Sequence, residues 1–271
     1  MSDLGVPVWL PKLLAWKPAT AKNMSRVTKT LGRENLPNIA DGAQRASLSI
    51  SGHMFQRLNI GDVVDRDADK ANDESLGRLL EEQVATDLRE KLTEECPHIA
   101  WDVQRNARIW DFAQYAHIKE LRDVARKYPE VEALVGDDYL IDPDVTVGVL
   151  RPLGVSLRAA VSCKWTIRSD RAQNVRHEFN SMIKSRRGRA PHLIAVTAEP
   201  LPSRLSSLTQ GMGEIDAVYH VAYGLIDEAV RDYTPLRGGS GEVSQLQHWE
   251  RMTGQGRLRD YRDLFDDILA D

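Results

Sequence analysis

Ile141-Asp142-Pro143-Asp144, followed after an apolar alternation by Ser162-Cys163-Lys164-Trp165-Thr166-Ile167-Arg168-Ser169-Asp170-Arg171-Ala172-Gln173-Asn174, is the stretch that decides the fold. From Tyr139 to Leu150 apolar and polar residues alternate, with β-branched Val145, Thr146, Val147 and Val149. From Val155 to Cys163 the alternation resumes, with Val155, Leu157, Ala159, Val161 and Cys163 on one side. A period of two in β-branched residues predicts two strands. Between them Arg151-Pro152-Leu153-Gly154 carries the Pro and Gly of a turn. Folding the hairpin about residues 152 to 153 sets Asp144 opposite Val161 and about one residue pair from Ser162, with Lys164 just beyond, so a carboxylate and an ammonium share one end of the sheet. Pro143 has no N–H to give a ladder, which predicts that the first strand is bulged, or at an edge, where Asp144 emerges.

The next segment predicts a helix. Ser169 and Asp170 are good N-caps, Ala172, Val175, Phe179, Met182 and Ile183 follow at spacings of three and four, and Gly188 ends the run. Arg171, Asn174 and Glu178 fall on one polar stripe opposite the apolar one. A helix starting beside Lys164 turns that stripe toward Asp144 and brings Glu178 to the same groove as a second acid.

Composition bounds the function. With 271 residues and 42% hydrophobic content the chain can bury a sizeable core, and the absence of a Ser/Gly- or Pro-rich linker favours a single domain over 1–271. A formal net charge of −4 argues against indiscriminate coating of nucleic acid, so any basic footprint has to be local. Residues 164 to 189 provide one, with eight Lys or Arg against Asp170 and Glu178. Two cysteines, Cys96 and Cys163, are too few for a disulfide framework. Without an apolar run of about 18 residues or a signal-peptide pattern, a cytoplasmic protein with no membrane contact is expected.

Pro143-Asp144, Ser162-Cys163-Lys164 and the run from Trp165 to Asn174, with Arg176 and Glu178 beyond, resemble the NgoMIV-like type II restriction endonucleases, the CCGG-cutting branch of the PD-(D/E)xK nucleases. The general motif has an acid two residues before the lysine, where this chain has Ser162; in the CCGG branch that acid is displaced onto the following helix, and Glu178 stands in the matching place. The resemblance covers about residues 38 to 226. It implies an α/β, restriction-endonuclease-like fold, a central mixed β-sheet flanked by helices, with 1–36 as an N-terminal arm and 228–271 as a C-terminal helical tail.

Working outward, Val6, Val8, Trp9, Leu10, Leu13, Leu14 and Trp16 make an apolar segment that reads equally as packing arm or oligomer contact. Asn38-Ile39-Ala40-Asp41-Gly42 is a turn, and the resemblance implies that Asp41 helps read an outermost base pair. Leu76, Leu80, Val84, Leu88 and Leu92 predict a long amphipathic helix from Asp73 to Glu95. On it the resemblance selects Glu81 as a further acid of the site. The chain departs from the branch at Ala43, where a serine is expected, and at Glu74, where a glutamine is expected. Trp101 to Trp110 predicts a strand and turn, and Phe112 to Tyr128 a helix closed by Pro129, with a short helical piece through Leu134. His192 to Thr197 predicts a buried strand, Ala198 to Arg204 a Pro-stiffened loop, and Gly213 to His220 another strand. The resemblance implies that Arg204 reads the outer guanine. After a break at Gly238 to Gly241, the apolar residues from Leu246 to Leu269 predict packing helices.

These residue types suit metal-assisted phosphodiester hydrolysis. Mg²⁺ takes oxygen ligands, one or two carboxylates plus substrate phosphate, so Asp144 with Glu178 and Glu81 is a suitable set, the Cys163 carbonyl can add an oxygen, and two ions per site are expected. Lys164 suits positioning of the attacking water or stabilisation of developing charge. Arg168 and Arg171 can fork onto guanine O6 and N7, and Asp170 can accept from cytosine amino groups. The resemblance implies that the Arg168-Ser169-Asp170-Arg171 run reads CCGG, that Asp41 and Arg204 extend the site to GCCGGC, and that cutting leaves 5′ CCGG overhangs. It also implies a dimer or a tetramer of paired dimers on two-fold symmetric DNA, and a cognate DNA methyltransferase as functional companion. The competing readings are a repair-type nuclease of the same fold and a non-catalytic, sequence-specific DNA-binding protein.

Overall fold

The computed structural model describes residues 4–61, 73–128, 130, 141–233 and 243–270. In chain order, helix α1 (Leu10–Leu13), strand β1 (Trp16–Pro18), α2 (Met24–Leu31), β2 (Asn35–Pro37) and α3 (Arg45–Arg57) precede the long α4 (Asp73–Glu95) and β3 (Trp101–Arg105). Two single 3₁₀ turns (Ile109–Asp111 and Ala113–Tyr115) lead into α5 (Ala116–Ala125). Then come β4 (Val145–Arg151), β5 (Gly154–Lys164), α6 (Ser169–Ser185), β6 (His192–Thr197), α7 (Pro202–Thr209), β7 (Ala217–His220), α8 (Tyr223–Tyr233), α9 (Val243–Gly254), β8 (Leu258–Asp260) and α10 (Asp263–Leu269). The architecture is α/β. A six-stranded sheet runs β3-β4-β5-β6-β7-β8, antiparallel from β3 to β5 and parallel from β5 to β8, with helices flanking it. β1 and β2 form a separate antiparallel pair. Among the described residues no helix is long and apolar enough to cross a membrane.

The long helix spans the predicted residues, and its every-fourth-residue face is buried: Leu80, Val84, Leu88 and Leu92 are fully enclosed. It lies against β3, β4 and β5. Asp87 on the same helix accepts hydrogen bonds from Trp9 Nε1 at 2.8 Å and from Tyr261 Oη at 3.0 Å. Burial raises the Asp87 pKa, and the two hydrogen bonds oppose that rise. One half-sequestered carboxylate therefore anchors segments from both ends of the chain. Val6, Trp9, Leu10, Leu14 and Trp16 join the main core rather than standing off it.

The hairpin at the centre differs from its predicted form in three ways. The first strand begins at Val145, so Pro143 and Asp144 precede it; the Tyr139 end of the predicted strand lies outside the described residues, as do Leu134 and the Gly238 to Gly241 break. β4 is internal, between β3 and β5, so Pro143 marks a strand start rather than an edge. The irregularity lies further along, where pairing steps from Val147↔Ala159 to Gly148↔Leu157 and Arg158 is the extra residue. That extra residue shifts the register by one: Val145 faces Val161, which sets Asp144 beside Ser162 instead of opposite Val161. Gly148 sits at the step, and a Cβ there would run into the side chains of Val155 and Phe112.

Other boundaries move for local reasons. The predicted helix from Phe112 to Tyr128 is shorter, because Phe112 is extended and the chain passes through 3₁₀ turns before α5 starts at Ala116. Helix α6 is preceded by Arg168 in an extended conformation, with no side-chain cap. The loop predicted through Arg204 is helical from Pro202, a proline in the first turn, where its missing N–H costs nothing. The predicted strand from Gly213 starts only at Ala217, and the tail contributes β8 to the sheet as well as helices.

Gln114, in the second 3₁₀ turn, clamps the hairpin next to its irregularity: its Nε2 donates to the Leu157 carbonyl at 2.7 Å and its Oε1 accepts the Leu157 N–H at 2.9 Å. Replacing it by alanine strands two buried backbone groups, at about 1–3 kcal/mol each. Gln114→Ala is expected to lower the urea unfolding free energy by about 2–4 kcal/mol with an unchanged m-value; a loss below about 0.5 kcal/mol would show that water replaces the amide.

Candidate active site and reading cleft

Asp144 leaves the chain just before β4 and its Oδ2 gathers three donors: Lys164 Nζ at 2.7 Å, the Cys163 N–H at 2.7 Å and Ser162 Oγ at 3.2 Å. All three come from the last turn of the pleat of β5, which the register step delivers to Asp144. Burial works against the Lys164 ammonium, but the charge and hydrogen bond of Asp144 outweigh it and raise the lysine pKa, so the side chain is a fixed cation. In an extended strand a residue's N–H and C=O point to the same edge. With its N–H on Asp144, the Cys163 carbonyl faces the site while its thiol is buried in the core. Burial pushes the thiol pKa well up, helped by the Asp144 charge, so the sulfur is no nucleophile.

Glu81, on α4, and Glu178, on α6, both feel this pair. Burial raises the Glu81 pKa; the Asp144 charge adds to the rise, against Arg105 and Lys164. Burial likewise raises that of Glu178, with Asp144 adding and Lys164 opposing. Two acids whose ionisation depends on the same aspartate and lysine, from three elements, make one electrostatic unit. The three carboxylates do not close onto a point. Among the described residues, ligand atoms of three such groups come within 4.8 Å of one another only at His53, Glu228 and Asp232, on α3 and α8. Like charges repel, and two of the acids lean on cations of their own: Asp144 on Lys164, and Glu81 on Arg105 at 3.0 Å. Arg105 also holds Glu82 at 3.0 Å, forking across the two glutamates. Carboxylates plus a backbone carbonyl are a hard-oxygen set that fits Mg²⁺.

Arg105 was not read from the sequence. Its signal is a charged residue ending the face begun by Trp101 and Val103 on β3.

A second group lies beside the first. Asp41, Arg168 and Arg204, from three distant segments, line one cleft of about 360 Å³ together with Lys17, Asn23 and Thr166. Asp41 closes its own turn, Oδ1 accepting the Ala43 N–H at 2.8 Å, and pairs through Oδ2 with Arg204 Nη2. Of Ser169 and Asp170 and Arg171 the backbone is described, as the first turn of α6, immediately after Arg168. Three residues separate Lys164 from Arg168, so a short connection joins the pair at Asp144 to the cleft.

Glu199 is the other residue the sequence reading passed over. It follows the end of β6, is fully buried, and takes the Ile167 N–H on Oε2 at 2.8 Å and the Leu201 N–H on Oε1 at 3.0 Å. Burial raises its pKa to about 7 against those two bonds and Arg204. Its signal was an acid placed between an unbroken apolar strand and a proline, at the carboxyl end of a parallel strand, where open α/β sheets build their sites.

Comparison with known proteins identifies the family. The NgoMIV restriction enzyme family matches residues 23–155 and 150–268. The type II restriction enzyme NgoMIV of Neisseria gonorrhoeae is 34% identical over 269 residues, covering 85% of this chain and 89% of that protein. The crystal structure of the pre-specific restriction endonuclease BsaWI–DNA complex matches 79% of this chain and 90% of that one, at 12% identity and a TM-score of 0.33. On the extent of the family match and the identity to NgoMIV, this chain belongs to the NgoMIV family of type II restriction enzymes.

Proposed function

We propose that the chain is a Mg²⁺-dependent endonuclease that cuts double-stranded DNA at a palindromic CCGG-centred site, GCCGGC, leaving 5′ CCGG overhangs. The observation that carries this reading is the Asp144–Lys164 pair, with Glu81 and Glu178 in its field, next to a cleft lined by Asp41, Arg168 and Arg204. Such a pairing of an acid–amine centre with guanine-seeking arginines suits cutting where the bases have been read.

The reaction adds water to phosphorus and breaks the bond to O3′, leaving a 5′ phosphate and a 3′ hydroxyl. Mg²⁺, two ions per site, supplies Lewis acidity and an activated water when bound. Asp144, Glu81, Glu178 and the Cys163 carbonyl are the oxygens that hold it. Lys164 stays cationic because Asp144 raises its pKa, and it meets the charge that develops on the phosphate. The raised pKa values of Glu81 and Glu178 keep their charge dependent on a compensating cation, so the acids come together fully only with cation and phosphate present.

Reading falls to Arg168, Ser169, Asp170 and Arg171 for CCGG, and to Asp41 with Arg204 for the outer G·C pair. Arginine reaches guanine O6 and N7 bidentately, and aspartate accepts from the cytosine amino group. Two-fold symmetric DNA calls for two copies of the chain, as a dimer or as a tetramer holding two sites. A cognate methyltransferase completes the functional pairing.

Run-off sequencing of plasmid digested with Mg²⁺ is expected to give discrete ends at GCCGGC with a four-base 5′ stagger, and none in excess chelator; a smear would point to a repair-type nuclease. Asp144→Ala is expected to lower cleavage by roughly 10³-fold or more while specific binding in a gel shift persists, and loss of both would assign Asp144 to folding. Arg204→Ala is expected to cost about 1–3 kcal/mol of discrimination at the outer base pair, read as the ratio of kcat/KM on GCCGGC and on duplexes altered at that pair alone, with the inner pairs unchanged.

A further inference from the structure

Glu199 touches neither the Asp144 centre nor the open face of the cleft, yet it is the most completely buried acid among the described residues. An isolated carboxylate in such a place is unfavourable by several kcal/mol unless its oxygens are satisfied. Here they are satisfied by groups of unusual position. Oε2 accepts the Ile167 N–H, one residue before Arg168. Oε1 accepts the Leu201 N–H, in the residue that caps the helix carrying Arg204. Arg204 Nη1 stands 3.8 Å from Oε2 while its Nη2 holds Asp41. Three stretches far apart in sequence, 38–42, 165–168 and 199–204, thus meet on one side chain and its ion-pair partner.

The glutamate is itself held from behind. Its N–H donates to Thr197 Oγ1 at 3.1 Å, and its carbonyl lies 3.0 Å from His220 Nε2. The Ala222 N–H donates to His220 Nδ1 at 3.0 Å, so Nδ1 is the acceptor and Nε2 carries the proton given to Glu199. Burial lowers the His220 pKa to about 4, so this neutral tautomer holds across the working range. The result is a rigid post at the ends of β6 and β7, with fixed acceptors for two loops.

We propose that Glu199 is a positioning residue for base recognition: by pinning the peptide before Arg168 and the helix start before Arg204, it fixes the distance between the two arginines and so determines how sharply the outer and inner G·C pairs are told from their substitutes. This rests on the reading of the cleft given above and deepens it. Two acceptors are needed, one for each backbone N–H, and only the carboxylate supplies both; with burial raising its pKa to about 7, that form is complete above neutral pH, where the ratios are read. An amide of the same shape has one oxygen and one NH₂, so one of the two backbone N–H groups would face a donor instead of an acceptor.

The test compares wild type with Glu199→Gln on GCCGGC duplexes and on duplexes altered at the outer or the adjacent pair, reading kcat/KM ratios. A charge-assisted backbone bond of this kind is worth enough to move the ratio by roughly tenfold or more, and the expected result is a tenfold or greater fall in discrimination at the outer pair with a smaller fall at the adjacent one. A variant that is merely less well folded loses activity on all duplexes in proportion, leaving the ratios unchanged, and that outcome overturns the proposal. Should Glu199→Gln melt below the assay temperature, Glu199→Asp keeps the charge, withdraws the oxygens by one methylene, and is read by the same ratios. Wild type that cuts no CCGG-centred duplex sinks the nuclease reading itself; wild type that discriminates alongside a variant that discriminates equally sinks only the role of Glu199.

Discussion

A single carboxylate oxygen, Asp144 Oδ2, with an ammonium, a backbone N–H and a hydroxyl converging on it, is what the rest of the molecule arranges. At about one-fifth exposure for both Asp144 and Lys164, the pair is neither a surface ion pair of negligible worth nor a sealed one. It needs β4 and β5 in one register and no other, since a slip by a residue turns every side chain of a strand to the opposite face. The extra residue Arg158 and the Gln114 clamp on Leu157 hold that register, and Gly148 leaves room for it. The long helix then brings Glu81 into the field of the pair, and the helix after β5 brings Glu178 into it as well.

On the proposed reading, cutting and base recognition are joined by the chain from Lys164 to Arg168, whose fully extended reach is about 14 Å. Trp165 and Ile167 are buried, and Ile167 is bonded to Glu199. On the proposed reading, this packed link is what couples a displacement at the bases to the phosphate. The parallel half of the sheet makes this possible because β5 and β6 end side by side, with Lys164 facing Thr197, so the loops that leave them are neighbours.

Most of this frame was legible because it rests on periodicity. The helix from Asp73 to Glu95 and the strand from His192 to Thr197 each bury a face written plainly in their apolar spacing. What was not legible depends on exceptions to period. A hairpin counted outward from its turn assumes one residue against one, and the extra Arg158 defeats that count by a single place, which is why Asp144 was set against Val161. Pro200 and Pro202 look alike as loop formers, and only the geometry of a helix start separates the second from the first. Arg105 and Glu199 escaped for another reason: each has a decisive partner more than twenty residues away, Glu81 and Glu82 for the first and Ile167 for the second. Asp41 and Arg204, equally remote from each other, were found only through the family resemblance; the cleft they share is visible only in three dimensions.

Several charged groups of the two centres are paired with one another: Lys164 with Asp144, Arg105 with Glu81 and Glu82, Arg204 with Asp41. On the proposed reading, DNA does not fill empty sites but competes with these internal partners. A guanine presenting two acceptors to Arg204 can replace a carboxylate that presents one; a base offering a single acceptor, or a donor, cannot, and the arginine returns to Asp41. The exchange lowers the affinity gained from any one contact, since each new bond replaces an old one. It raises the difference between right and wrong sequences for the same reason. In a chain of net charge −4, such exchange keeps non-specific DNA weakly held until the whole set of partners can change together.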